Sequence, residues 1–246
     1  MIFMFLSAPF IGSFLGVVAV RWPAGDSFVK GRSRCPSCHH QLTTVDLIPL
    51  LSFLFRRGRC GYCGTRISNF YPLMELAALL VAFWAWGISG GSLGLFMITC
   101  LLGWTLLALA VIDYRHFLLP DFLTLPLIIA GIAAISFLNP DRIYFHIIGA
   151  IAGAVFLYLI AWGYEKWRGR AGIGFGDVKL FAAAGAWVGA DGLPSVLFIA
   201  ALSGLLIAGI LAVIQKQKID ATTKISFGTY LCLGTWAVWL YGPLMI

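Results

Sequence analysis

The apolar runs of this chain are too long and too free of charge for the core of a soluble protein. Eight read as helices, at roughly 2–20, 72–89, 93–112, 122–138, 143–163, 177–190, 194–214 and 226–245. A bilayer core takes about 20 residues of helix. In hydrocarbon a single spanning segment pairs all its own N–H and C=O groups only as a helix. With 61% hydrophobic and 11% charged residues, the chain lacks the polar surface to face water on all sides. The expected fold is an all-α membrane protein of about eight transmembrane helices, with a small cytoplasmic domain between the first and second. The run 177–190 is short and bounded by Gly174, Gly176, Gly189 and Gly192, which suits a tilted span or a locally thin bilayer.

Charge selects an orientation. A net charge of +7 would suit nucleic acid, but the basic residues gather where membrane proteins put them. With the N-terminus outside, segments 21–71, 113–121, 164–176 and 215–225 face the cytoplasm. Sixteen of the seventeen basic residues then lie inside or at the inner boundary, and Arg142 alone lies outside. The expected partners of these loops are anionic lipids and not nucleic acid. Met1–Val20 has no basic residue ahead of its apolar run, so it reads as a retained helix and not a cleaved signal. The chain divides into helix 1 at 1–20, a cytoplasmic segment at 21–71 and a membrane bundle at 72–246, with no internal repeat evident.

The cytoplasmic segment carries Cys35-Pro-Ser-Cys38 and, 21 residues later, Cys60-Gly-Tyr-Cys63 followed by Gly64. A two-residue gap turns both thiolates of a pair toward one tetrahedral ion, and four thiolates close its shell, so the expectation is one structural zinc. Disulfides and free thiols are the alternatives, and a reducing compartment disfavours the first. His39 and His40 read as bystanders, and Cys100 and Cys232 as small apolar core residues. The apolar stretch Asp46–Phe55 is too short to span and is expected on the membrane surface or docked on the bundle. Arg56, Arg57 and Arg59 would then meet lipid head groups.

Of ten acidic residues, Asp26, Asp46, Glu165, Asp220, Asp141 and Asp191 fall in connections, where solvation or capping accounts for them. Asp113 ends the third run and Asp177 opens the sixth, so the topology puts both at one inner face despite 64 residues of separation. Ionisable groups at that depth are costly and usually functional. Two adjacent carboxylates can act as an acid–base pair on a peptide bond, and membrane acids can also relay protons. The glycines before Asp177 would let a substrate backbone approach. Asp121, after Pro120, reads as a helix cap, Lys179 as a snorkelling charge and Glu75 as a first-turn acid favoured by the helix dipole.

In order along the chain stand Gly12-Ser-Phe-Leu15, Arg34-Cys-Pro-Ser-Cys38, Asp46-Leu-Ile-Pro-Leu-Leu51, Arg57-Gly-Arg-Cys60 and Tyr71-Pro-Leu-Met-Glu-Leu76. Ile112-Asp113 ahead of Pro120-Asp121, and Gly174-Phe-Gly-Asp177, complete the set. Together these motifs resemble those of bacterial type IV prepilin peptidases, the leader peptidases of type IV pili and type II secretion. The resemblance implies catalysis by Asp113 and Asp177 on prepilins or pseudopilins with a basic leader, in the bacterial inner membrane. It also implies N-methylation of the new N-terminus with S-adenosylmethionine, for which Glu75 is the candidate residue. Two positions depart from the family pattern. Gly16 stands where many relatives have asparagine, and Phe70 where arginine is frequent. No glycine-rich methyl-donor loop of the dinucleotide-binding kind is present. The competing reading, a proton-coupled transporter using Asp113 and Asp177, calls for acids near the midplane and for repeated halves.

Overall fold

The computed structural model describes residues 2–28, 33–169, 172, 174–215 and 225–244. The expected connection 215–225, with Asp220, lies outside them except at its two ends. The described residues form helices α1 (Ile2–Arg21), α2 (Leu51–Phe55), α3 (Phe70–Ile88), α4 (Leu93–His116), α5 (Asp121–Leu138), α6 (Ile143–Arg168), α7 (Phe175–Gln215) and α8 (Phe227–Tyr241). Six are long and apolar enough to cross a membrane: Ile2–Arg21, Phe70–Ile88, Leu93–His116, Asp121–Leu138, Pro140–Arg168 and Phe175–Ile214. The protein is an integral membrane protein. The chain falls into two compact units, Met1–Ala108 and Leu109–Ile246.

In the first unit Ala78, Ala82 and Ala85 of α3 share a core with Ala8, Phe96, Cys100 and Trp104. Membrane helices associate through close packing of small residues, because lipid gives no hydrophobic drive between them. Gly12 of α1 shows why: a Cβ there would come 2.5 Å from the Met74 carbonyl oxygen. The Trp104 indole donates to the Ala78 carbonyl at 2.9 Å, so its one polar atom is satisfied inside the apolar cluster.

The cysteine segment contains a repeat that its sequence hides. Cys35 N–H donates to His40 O and His39 N–H to Cys35 O; Cys60 N–H donates to Thr65 O and Gly64 N–H to Cys60 O. Isolated bridges pair Arg34 with Gln41 and Arg59 with Arg66 at the same offsets. His39 (φ 56°) occupies the conformation that Gly64 (φ 70°) occupies in the second copy. Residues 34–41 and 59–66 are thus two copies of one knuckle, which share too few side chains to be visible as a repeat.

Between the knuckles lie a 3-10 turn at Val45–Leu47 and the single turn α2. This segment docks on α3, where Leu50 N–H donates to Glu75 Oε2 at 2.7 Å. Leu54 and Phe55 remain exposed. Arg56 is not free for lipid, as the sequence suggested. It forms an ion pair with Asp46, and Gly61 leaves room for its guanidinium. Burial opposes ionisation of Asp46, but Thr43 N–H and hydroxyl donors and the Arg56 charge together hold its carboxyl below the usual range.

In the second unit α7 breaks at Gly189, whose φ of 77° and ψ of 173° are essentially restricted to glycine. The chain turns back there. Val196 lies against Gly234 and Tyr230 against Gly204, while Gly228, at the start of α8, comes close to Asp177, at the start of α7. The two halves of α7 are therefore the two expected runs 177–190 and 194–214, joined by one residue instead of a loop. With them the apolar helices among the described residues number eight, α8 being a short one of 15 residues. Gly149 and Gly153 of α6 let the α7 backbone approach closely, and the Trp187 indole donates to Leu127 O at 2.8 Å, tying α7 to α5.

A left-handed backbone costs a non-glycine residue roughly 1–2 kcal/mol, part of which glycine returns through a freer unfolded chain. His39→Gly should stabilise the cysteine domain by up to about 1 kcal/mol, read as a shift of its chemical unfolding curve.

Candidate active site and metal centre

Asp113 lies in the last turn of α4, which runs on to His116, one turn beyond the expected end. Asp177 sits in the first turn of α7. Both side chains are buried, with Asp113 5% and Asp177 8% exposed. A Cβ built on Gly228 would lie 3.0 Å from Asp113 Oδ2 and 3.0 Å from Asp177 Oδ1. These two oxygens are therefore at most 6.0 Å apart (3.0 Å on either side of one point), a span that a bridging water covers.

Each carboxylate is held differently. Asp177 Oδ2 accepts the Gly174 N–H at 3.2 Å, as a side chain three residues past a helix cap does in a capping box. Its Oδ1 is buried without a hydrogen-bond partner. Asp113 Oδ2 accepts the Thr229 N–H at 2.7 Å and lies 3.2 Å from the Thr229 hydroxyl. Capping its own helix thus occupies one oxygen of Asp177 and leaves the other free.

The glycines before Asp177 serve the packing of the site. A Cβ on Gly176 would come 2.8 Å from Leu119, and one on Gly174 would crowd Asp177 Oδ2 at 3.3 Å. At both positions the missing Cβ makes room for the protein's own side chains. Asp121 does not cap its helix; its carboxylate pairs with Lys179 at 2.6 Å, and that ammonium also lies 5.2 Å from the Phe175 ring centre.

Gly228 and Thr229 were missed by the sequence reading. The available signal was positional: Ser226-Phe-Gly-Thr229 opens the helix that the topology starts on the same face as Asp177.

In the first unit the four sulfurs of Cys35, Cys38, Cys60 and Cys63 lie within 4.8 Å of one another and could hold a metal ion. The Cys35 and Cys63 sulfurs are 3.8 Å apart. That is the edge of a tetrahedron with metal–sulfur bonds of about 2.3 Å. The thiols do not ionise alike. Hydrogen bonds from the Thr65 hydroxyl and backbone bring Cys63 down to about 6. At Cys38 the His40 N–H favours the thiolate, yet burial and the neighbouring sulfurs push it up to about 11. A cation among the sulfurs removes that competition.

Beside this cluster is a cavity of about 470 Å³, bounded by α1, α3 and the knuckles. Val17, Val20, Phe53 and Tyr71 give it apolar walls, and Glu75 and Asp46 reach its lining. Glu75 is itself buried and bound to Leu50 N–H, so the acid marked by the sequence helps to shape the cavity wall.

Comparison with known proteins divides along similar lines. Residues 6–88 match the bacterial Peptidase A24 N-terminal domain, and residues 100–209 match the type IV leader peptidase family. A Stutzerimonas stutzeri protein named prepilin leader peptidase/N-methyltransferase is 37% identical, over 89% of this chain and 76% of its own. Proteins of that name from Aeromonas salmonicida (36% identical, over 97% of this chain and 90% of theirs) and Pseudomonas aeruginosa (34%, over 94% and 87%) are similar too. No solved structure matches the chain. Its two family regions and its likeness to these relatives over most of their length make this chain a member of the type IV leader peptidase family.

Proposed function

We propose that the protein is an intramembrane aspartyl endopeptidase that removes the basic leader of type IV prepilins or type II secretion pseudopilins, then methylates the new N-terminal amine. The observation that carries the peptidase is the buried meeting of Asp113 and Asp177, with one Asp177 oxygen left unpartnered. One aspartate activates a water toward the scissile carbonyl; the other stabilises the developing oxyanion with its proton, and the pair then protonates the leaving amine. The relatives' names add the substrate and the methyl transfer. The transporter reading finds no support, since both acids lie in terminal helical turns.

The distribution of basic residues favours a multi-pass protein of the bacterial inner membrane. Its N-terminus would be outside, and the cysteine domain and aspartates would face the cytoplasm. That orientation suits a substrate whose leader stays in the cytoplasm while its apolar helix enters the membrane. Four thiolates at tetrahedral spacing suit zinc, held as a closed structural site by Cys35, Cys38, Cys60 and Cys63.

The methyl donor, S-adenosylmethionine, supplies a methyl group on a sulfonium. The cavity beside the cysteines is within the size range of small-ligand sites, and its apolar walls, two carboxylates and four arginines (Arg21, Arg34, Arg56 and Arg66) suit a donor that carries both charges. Val17 and Tyr71 would flank the donor and Glu75 would hold the wall formed by Leu50.

Asp113→Asn and Asp177→Asn should each abolish cleavage of a purified prepilin in a gel-shift assay while leaving the protein folded; processing by either variant removes the proposed pair. Metal analysis should give about one zinc per chain, lost in Cys38→Ser and retained in His40→Ala. Equilibrium dialysis should detect S-adenosylmethionine binding that Val17→Trp, which fills the cavity, weakens at least about tenfold without slowing leader cleavage. Undiminished binding in that variant would move the donor elsewhere.

A further inference from the structure

The hydrogen bonding around the two aspartates is unequal. Asp113 Oδ2 takes the Thr229 N–H at 2.7 Å and sits near the Thr229 hydroxyl, and the Gly228 N–H is directed at the same carboxylate. Ser226, at the cap position of α8, makes no side-chain cap. Asp113, on another helix, therefore satisfies the free first-turn N–H groups of α8. Among the described residues Asp177 takes a single N–H on Oδ2, from Gly174, and has no partner on Oδ1. A backbone N–H can be served only by a lone pair, whereas a buried oxygen that accepts nothing can carry a proton and donate it.

We propose that the first turn of α8 divides the labour between the aspartates. Thr229, with Gly228, holds Asp113 as the carboxylate that accepts a proton from the attacking water and leaves Asp177 Oδ1 to protonate the substrate carbonyl oxygen. The assignment rests on the leader-peptidase reading above. The water oxygen bonds to the carbonyl carbon as one of its protons passes to Asp113 and the Asp177 proton passes to the carbonyl oxygen, giving a neutral diol. Asp113 then delivers its proton to the amide nitrogen. The C–N bond breaks with its electron pair on nitrogen, and a diol hydroxyl returns a proton to Asp177.

Thr229 touches Asp113 and not the reacting atoms, so it is a positioning residue. Its hydroxyl also lies 3.0 Å from Ala110 O, which offers the hydroxyl proton another acceptor and leaves the backbone N–H as the fixed donor. Neither matched family region, 6–88 or 100–209, reaches α8. Gly228 belongs to the same device, because a Cβ at that position would lie 3.0 Å from both Asp113 Oδ2 and Asp177 Oδ1 and fill the space between them.

The test compares Thr229→Ser, Thr229→Val and Thr229→Pro in the full chain in detergent, with a prepilin as substrate. Proline is tolerated in a first helical turn and removes the N–H. Thr229→Pro should lower kcat roughly 10- to 100-fold with KM unchanged. Thr229→Val should lose a few-fold, and Thr229→Ser should restore wild-type turnover. Thermal unfolding checks the fold, and if Thr229→Pro is unfolded the Val and Ser pair decides by kcat alone. Wild-type kcat in the folded Pro and Val variants, or a loss confined to KM, overturns the assignment. Cleavage by Asp113→Asn or Asp177→Asn would instead overturn the leader-peptidase reading beneath it.

Discussion

Inside hydrocarbon every backbone N–H and C=O must be paired, and a helix does this everywhere except in its first and last turns. Polar chemistry in such a protein is therefore confined to helix ends. Asp113 closes α4, Asp177 opens α7 and Thr229 opens α8. Each solves a local problem of unpaired N–H groups or end charge while contributing to the site. The Asp177 carboxylate is economical in this respect: one oxygen caps its own helix, and the other is left for chemistry.

Much of the fold was legible because membrane helices announce themselves by composition. The eight apolar runs correspond to helices, and what failed was their ends. α4 continues past Ile112 to His116 and α6 past Gly163 to Arg168, because hydrogen bonding does not stop where hydropathy does. The reversal at Gly189 needed a backbone angle, which a sequence does not print. In the site, the cysteines were legible from spacing and the aspartates from topology. Thr229 was not, since its contribution to Asp113 is chiefly a main-chain N–H that any residue but proline carries. The doubled knuckle stayed hidden for a similar reason: its likeness lies in hydrogen bonds and in a left-handed residue that is histidine in one copy and glycine in the other.

The two proposed chemistries fall in separate units. The aspartates belong to Leu109–Ile246, and the cysteines, Glu75 and the cavity to Met1–Ala108. Glu75 illustrates how a sequence candidate changes meaning when seen in place. The sequence suggests a first-turn acid and a candidate for methyl transfer; α3 starts at Phe70, so Glu75 lies beyond the first turn, and it holds Leu50, a non-glycine residue at φ 60°. An acid can be indispensable to a cavity by fixing its wall.

The tight turn at Gly189 has a mechanical side. At that end of the second unit α5 joins α6 through a 3-10 turn at Pro140–Arg142, Arg142 pairs with Asp191, and His146 is bonded to Ala186 O. Leu244 N–H donates to Ser195 Oγ. Turn, ion pair and hydrogen bonds thus clasp these helices like the spring of a clothes-peg, at the end of the unit away from Asp113 and Asp177.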